Sequence, residues 1–189
     1  RDTIDIFLQV AIDGGEDLTG AKITNVDQKS VAQIGVELAE KAARLREHKD
    51  RDLQQTQSML KLLPNRLVGA MLKLIGWVSY DLGLDLSRFG VPYDQFGSAM
   101  VSNIGTFGLT SAFAPLVPFA RTGLVILVGS VQKRPVVVDD EIVIRPILTL
   151  GTTIDHRIID GFQASVMCKR VIEAIEDPWK HFGEIQPVA

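Results

Sequence analysis

TTIDHRIIDGF, residues 152–162, sets a histidine, an arginine and an aspartate between a strand-like run and a helix-like one, with Gly161 directly after Asp160. Ahead of it, residues 145–154 read as one extended strand. Ile147, Leu148, Leu150 and Ile154 stand among small or β-branched residues, and Pro146 keeps the run from being helical. Behind it, residues 163–176 read as a helix with Ala164, Met167, Cys168, Val171, Ile172 and Ile175 on a wide apolar face, stopped by Asp177 and Pro178. His156 therefore falls at a strand end, where a backbone can hold an imidazole rigidly at the edge of a pocket. Asp160 and Gln163 have the spacing of a helix N-cap and its N3 partner. Arg157 carries the planar fork that pairs with a carboxylate, and Asp155 and Asp160 are both within its reach. On its own, a histidine at a strand end is most often a satisfied polar residue.

At 189 residues and 46% hydrophobic, the chain is long enough for one sizeable core, and one domain over 1–189 is the expectation. A formal charge of −3 gives no electrostatic footprint for nucleic acid. The single cysteine, Cys168, can form neither an internal disulfide nor a metal cluster, which fits a reducing cytoplasm or a mitochondrial matrix. Arg1 stands where a methionine would open a gene product, so the sequence reads as processed or truncated.

From the start, Ile4, Ile6, Leu8, Val10 and Ile12 alternate with more polar residues up to Gly14 and Gly15, a half-buried strand ending in a turn. A second strand is expected over 21–26. Ser30 with Gln33 can cap a helix whose apolar face is Val31, Ile34, Leu38, Ala42 and Leu45. Glu37–Lys41 and Glu40–Arg44 lie on its outer face, and it fades near Asp50. Within residues 59–80, Leu60, Leu63, Leu67, Met71, Leu74, Ile75 and Val78 can line one helix face, with Pro64 as a start or a kink. Lys61, Arg66 and Lys73 interrupt it too often for a spanning helix, which leaves a buried or subunit-facing helix or, as the second choice, a basic amphipathic helix on a membrane surface. Residues 95–120 carry no charge, yet Gly97, Gly105, Gly108, Pro115 and Pro118 forbid a long helix, the composition of a pocket wall or subunit contact. Residues 123–131 read as a strand covered on both faces, and KRPVVVDDEIVI, residues 133–144, as a hairpin around Asp139 and Asp140.

HRIIDG, preceded by Asp155, resembles the signature of the coenzyme-A-dependent acyltransferases related to chloramphenicol acetyltransferase, and within them the catalytic domains of the dihydrolipoamide acyltransferases of 2-oxoacid dehydrogenase complexes. VSNIGTFG, residues 101–108, resembles the serine strand of that family, and Asp27, Lys29 and Ser30 the start of its first shared helix. The resemblance implies an α/β two-layer sandwich, a mixed sheet with helices on one face. It implies His156 as the general base on a thiol, Ser102 as the donor to the oxyanion, and Asp160 as a structural partner, with Arg157, Asp155 and Gly161 supporting the turn. It also implies acyl-coenzyme A as substrate, no metal, and a homotrimer building a larger core in which the histidine of one chain faces the serine of its neighbour. A lipoylated protein and other 2-oxoacid dehydrogenase components would be partners, the lipoyl group riding on a partner chain or on a domain preceding Arg1. Against the family pattern, residues 52–95 form a helical insertion. Residues 117–121, VPFAR, replace an asparagine and paired prolines, and no leucine-rich C-terminal hook is visible. A stand-alone relative with a non-lipoyl acceptor and a scaffold without turnover are the competing readings. The family domain begins before Arg1, so an N-terminal part of the domain is expected to precede it; otherwise the strand over 4–12 would leave an open edge.

Overall fold

The computed structural model describes residues 3–12, 15, 17–47, 64–87, 91 and 94–184. Five strands form one mixed sheet in the order β2-β1-β3-β4-β7. β1 (Ile6–Ile12) and β2 (Asp17–Ile23) are an antiparallel pair with Val10 opposite Thr19. β3 (Ala99–Asn103) runs parallel to β1, and β4 (Leu124–Val128) parallel to β3. β7 (Leu150–Ile154) closes the sheet antiparallel to β4. Two expectations change here. The second strand lies earlier than 21–26, and β1 has no open edge, because β2 and β3 flank it and the edges fall to β2 and β7.

The two faces are covered differently. Val10, Ile12 and Ala21 face α1 (Val31–Arg46), whose Ala42 and Leu45 close that half of the core with Leu38 against it. Ser30 accepts from Gln33 N and the Gln33 side chain accepts from Ser30 N, so the capping box forms as its spacing requires. Both expected outer pairs are present, Glu37–Lys41 at 2.8 Å and Glu40–Arg44 at 3.6 Å. The helix ends at Arg46, short of Asp50.

Phe7 belongs to the opposite face with Met100, Val125 and Leu127. β1 is therefore buried on both sides, not half-buried. Over this second face lies an extended strap, residues 109–117, in which Ala112, Ala114 and Leu116 turn inward and Leu109, Phe113 and Val117 turn out. Three contacts fix its course. Ser130 N donates to Leu109 O at 2.8 Å, Thr153 Oγ1 donates to Ala114 O at 2.8 Å, and the strap backbone passes so close to Gly129 and Gly151 that a side chain at either would meet the carbonyl of Thr110 or Ala112. The uncharged stretch is thus a wall laid on the sheet. On the other face, Leu124, Ile126 and Val128 remain only half-buried, so β4 is not covered equally on both sides as its run of apolar residues suggests.

Residues 145–154 are not one strand. β5 (Gln132–Val138) and β6 (Glu141–Ile147) form a hairpin of their own, turned by Asp139 and Asp140 at φ 50° and 65°, the left-handed pair a two-residue hairpin loop requires. The chain breaks at Leu148 and Thr149 because it changes partner there, from β5 to β4, with Gly129 N donating to Thr149 O at 3.0 Å. α2 (Asn65–Gly76) starts at Pro64, whose backbone is extended, so the proline starts this helix and does not kink it. Leu60 and Leu63 of the expected apolar face, and Lys61 that interrupts it, lie outside the described residues, as does His48. α2 runs into a wider turn, Trp77–Asp81, closed by Leu82 N donating to Trp77 O at 3.1 Å. Among the described residues no helix is long and apolar enough to cross a membrane. After the histidine motif come α3 (Gly161–Glu176) and the short α4 (Pro178–Phe182), where His181 is exposed.

Candidate functional site

β7 ends at Ile154, opposite Leu124, and the chain leaves the sheet through a tight turn. Asp155 N donates to Gly123 O at 2.8 Å, which holds the first residue of the turn to the start of β4. Ile158 N and Ile159 N both return to Asp155 O, at 2.9 and 3.0 Å, so the backbone curls around Asp155 and presents His156, Arg157 and Ile158 outward. Of the two carboxylates open to Arg157, it takes Asp155. Nε and Nη2 reach both oxygens at 2.9, 3.2 and 2.6 Å, and the Arg157 backbone N–H adds a bond at 3.0 Å. The guanidinium hydrogen bonds, with that N–H behind them, hold the Asp155 carboxyl down at about 2 against an ordinary 3.8, and the same bonds raise Arg157. Charge beside His156 is thus neutralised within the turn.

Asp160 closes the far side. Its Oδ1 accepts from Gln163 N at 2.8 Å while Gln163 Oε1 accepts from Asp160 N at 3.0 Å, a complete capping box at the start of α3. The turn carrying His156 is therefore pinned at both ends by contacts two or three residues apart. Gly161 opens the helix, and a side chain there would meet nothing within 4 Å in this chain, so its space rather than its backbone conformation distinguishes it.

Ser102 stands elsewhere. It is the fourth residue of β3, 9% exposed, on the strap-covered face and opposite Leu127. Just beyond it, Asn103 Oδ1 accepts from Gly105 N at 3.0 Å and Thr106 Oγ1 donates to Asn103 O at 2.9 Å, which turns the chain off the sheet immediately after the serine. Leu127 pairs with Gly151, so Ser102 is level with Gly151, while His156 lies five positions further along the chain, past the other end of β4. At about 3.3 Å per strand residue the two are on the order of 15 Å apart along the strand direction. One chain brings together His156, Asp155, Arg157, Asp160 and Gly161, and leaves Ser102 at the opposite end of the sheet.

Two features were not anticipated, one at each end of the sheet. Arg121 pairs with Asp81 through Nη2–Oδ2 at 2.7 Å and Nη1–Oδ1 at 3.4 Å, across forty residues, and no local pattern announces it. The close passage of the strap over Gly129 and Gly151 is the other; glycines inside apolar strand runs are its only signal.

Residues 94–182 match the family described as 2-oxoacid dehydrogenases acyltransferase (catalytic domain). The dihydrolipoyllysine-residue succinyltransferase component of the 2-oxoglutarate dehydrogenase complex of Saccharomyces cerevisiae is 42% identical over 84 residues, 44% of this chain and 18% of that protein. The dihydrolipoyllysine-residue acetyltransferase component of the pyruvate dehydrogenase complex of Zymomonas mobilis is 26% identical over 174 residues, 92% of this chain and 30% of that protein. The chain thus spans less than a third of the length of either relative. Among solved structures, the cubic core of the pyruvate dehydrogenase multienzyme complex superposes with a TM-score of 0.63 at 23% identity, over 95% of this chain and 56% of that one. The sequence of that catalytic-domain family is thus matched over residues 94–182, and the fold of the cubic core over nearly the whole chain.

Proposed function

We propose that the protein transfers an acyl group between coenzyme A and a thiol acceptor, with dihydrolipoamide carried by a partner protein or by a further part of the same polypeptide as the first acceptor to try. The observation that carries this reading is the turn itself: an exposed imidazole between an Asp155–Arg157 fork and an Asp160 capping box. His156 takes the proton from the acceptor thiol, and the thiolate attacks the carbonyl carbon of the acyl-coenzyme A thioester. The Ser102 hydroxyl donates to the oxygen that gains charge in the tetrahedral intermediate. Collapse breaks the carbon–sulfur bond, and the coenzyme A thiolate recovers the proton from His156. Asp155, Arg157 and Asp160 hold the turn, and the open space over Gly161 leaves room for a neighbour or substrate. Residues 1–189 belong to one catalytic domain with an insertion from about 52 to 95, of which Asn65–Asp81 is the described helical part, working in a cytosol or matrix.

Because Ser102 and His156 lie at opposite ends of one sheet, the working site is shared between copies of the chain, as a trimer or a larger core built from trimers allows. Two experiments test this. Thiol release from acetyl-, propionyl-, succinyl- and branched-acyl coenzyme A with dihydrolipoamide should collapse in His156→Ala. Mixed assemblies of His156→Ala with Ser102→Ala should regain about a quarter of the wild-type sites, the share of interfaces that pairs an intact histidine with an intact serine. A mixture as inactive as its parents sinks the shared site. Coenzyme A binding without turnover toward any thiol points to a non-lipoyl acceptor, and no binding at all to a scaffold.

A further inference from the structure

The helical segment that ends at Asp81 is tied, through a short series of contacts, to the backbone that carries His156. The wide turn Trp77–Asp81 shifts the last residue around the helix axis relative to an α-helical continuation, and Asp81 meets Arg121 there in a two-point pair at 2.7 and 3.4 Å. Arg121 adopts a left-handed backbone, φ 49°, a conformation uncommon for a long side chain. The turn just before it is held from the other side by the core. Phe119 packs edge-on against Phe96 at 6.5 Å, Phe96 against Phe7 at 5.0 Å, and Ala120 is buried. Two residues after Arg121, Gly123 O accepts from Asp155 N at 2.8 Å, and His156 follows. Ile158 also comes within 3.5 Å of where a Gly123 side chain would start.

We propose that Asp81 and Arg121 are positioning residues: through Arg121–Gly123 the helical segment sets the placement of the His156 turn. The inference rests on the reading of His156 given above. It assigns residues 64–81 a task in the acyl transfer itself, beyond covering surface. The pair holds the 118–122 segment against its aromatic anchor, and Gly123, next in the chain, offers the carbonyl by which the turn is fastened to the start of β4. Loosening the pair lets Gly123 and Asp155 move together, so the imidazole loses its alignment while the neighbouring fork and cap stay formed.

The test uses the full chain as Asp81→Asn, as the exchanged pair Asp81→Arg with Arg121→Asp, and as Glu40→Gln, which breaks an exposed ion pair on α1 and serves as the control. Aspartate tolerates the left-handed backbone at position 121. Expected for Asp81→Asn is a kcat lower by about three- to tenfold with the KM for acyl-coenzyme A within about twofold of wild type, and recovery in the exchanged pair. The His156 imidazole Cε1–H resonance, assigned by its loss in His156→Ala, should move in Asp81→Asn and return in the exchanged pair. Equal kcat and an unmoved resonance in Asp81→Asn and Glu40→Gln would overturn the proposal even with full wild-type turnover. A resonance that moves and returns in a protein that transfers no acyl group would uphold the positioning while ending the functional reading.

Discussion

Gly129→Ala and Gly35→Ala are the same chemical change and should act in opposite directions. A methyl group at Gly129 would overlap the Thr110 carbonyl oxygen and sit 2.8 Å from the Thr110 carbonyl carbon and 3.0 Å from Thr149 O; all three are backbone atoms that cannot rotate away. Overpacking of this kind costs about 1–3 kcal/mol, and the smaller unfolded-state entropy of alanine returns about 0.5. The net loss is about 1–2 kcal/mol. At Gly35, on the outside of α1, a methyl group meets nothing within 4 Å, so only the helix preference remains and stability should rise by about 0.5–1 kcal/mol. With a urea m-value of about 2 kcal/mol/M, the midpoint should fall by about 0.5–1 M in the first variant and rise by about 0.3–0.5 M in the second. Gly151→Ala, whose methyl would stand 3.0 Å from Ala112 O, should fall between them. The discriminating readout is the pair of urea midpoints by circular dichroism. If Gly129→Ala is as stable as wild type, the strap does not cross the sheet at that point, and the wall assigned to residues 109–117 is wrong.

Ser102→Ala should lower kcat by about 10²- to 10³-fold in the acyl-transfer assay, with coenzyme A affinity little changed; a smaller loss removes Ser102 from the oxyanion role. Asp160→Ala should lose about 1 kcal/mol with its capping box, whereas Asp160→Asn keeps most of it, a ranking that urea titration reads directly. The Asp155 carboxyl is held at about 2 in the folded chain against 3.8 ordinarily, so its contribution to stability is complete above about pH 4 and drains away as pH falls toward 2. In Arg157→Gln that acid-limb contribution should largely disappear, and stability measured from pH 5 downward should decline less steeply than in wild type.

What could be read in the sequence is what is set locally. The boxes Ser30–Gln33 and Asp160–Gln163 need only a spacing of three, and the Asp155–Arg157 fork a spacing of two. Both ends of the histidine turn are therefore visible in TTIDHRIIDGFQ, although the choice of Asp155 over Asp160 by Arg157 is not. Features set by distant partners were hidden. Nothing in residues 145–154 says that the strand changes partner at Leu148, because the change depends on where β4 ends. Phe7 stands outside the alternating series Ile4, Ile6, Leu8, Val10 and Ile12, yet it is buried too, on the strap-covered face, while Val10 lies under α1. Asp81 and Arg121 are ordinary charges until the wide turn after α2 brings them together.

The placement of Ser102 follows the same division and bears most on function. VSNIGTFG resembles the family's serine strand, and Asn103 turns the chain off the sheet directly after Ser102 through a contact only two residues long, so this part of the site is local information. Its relation to His156 is not local: it is fixed by the registers Ser102 to Leu127, Leu127 to Gly151 and Leu124 to Ile154. Those three pairings put the serine at one end of β4 and the histidine past the other, about 15 Å away along the strands. On the proposed reading, catalysis on one thioester needs donor and base within a few ångströms of the reacting atoms, and neither side chain is long enough to close that gap. Rearranging the chain to bring them together would break the β4–β7 ladder and the strap that Thr153 holds to it. On the proposed reading a serine supplied from a second copy breaks nothing, and Phe113, Ile158 and Phe162 are each exposed in the single chain.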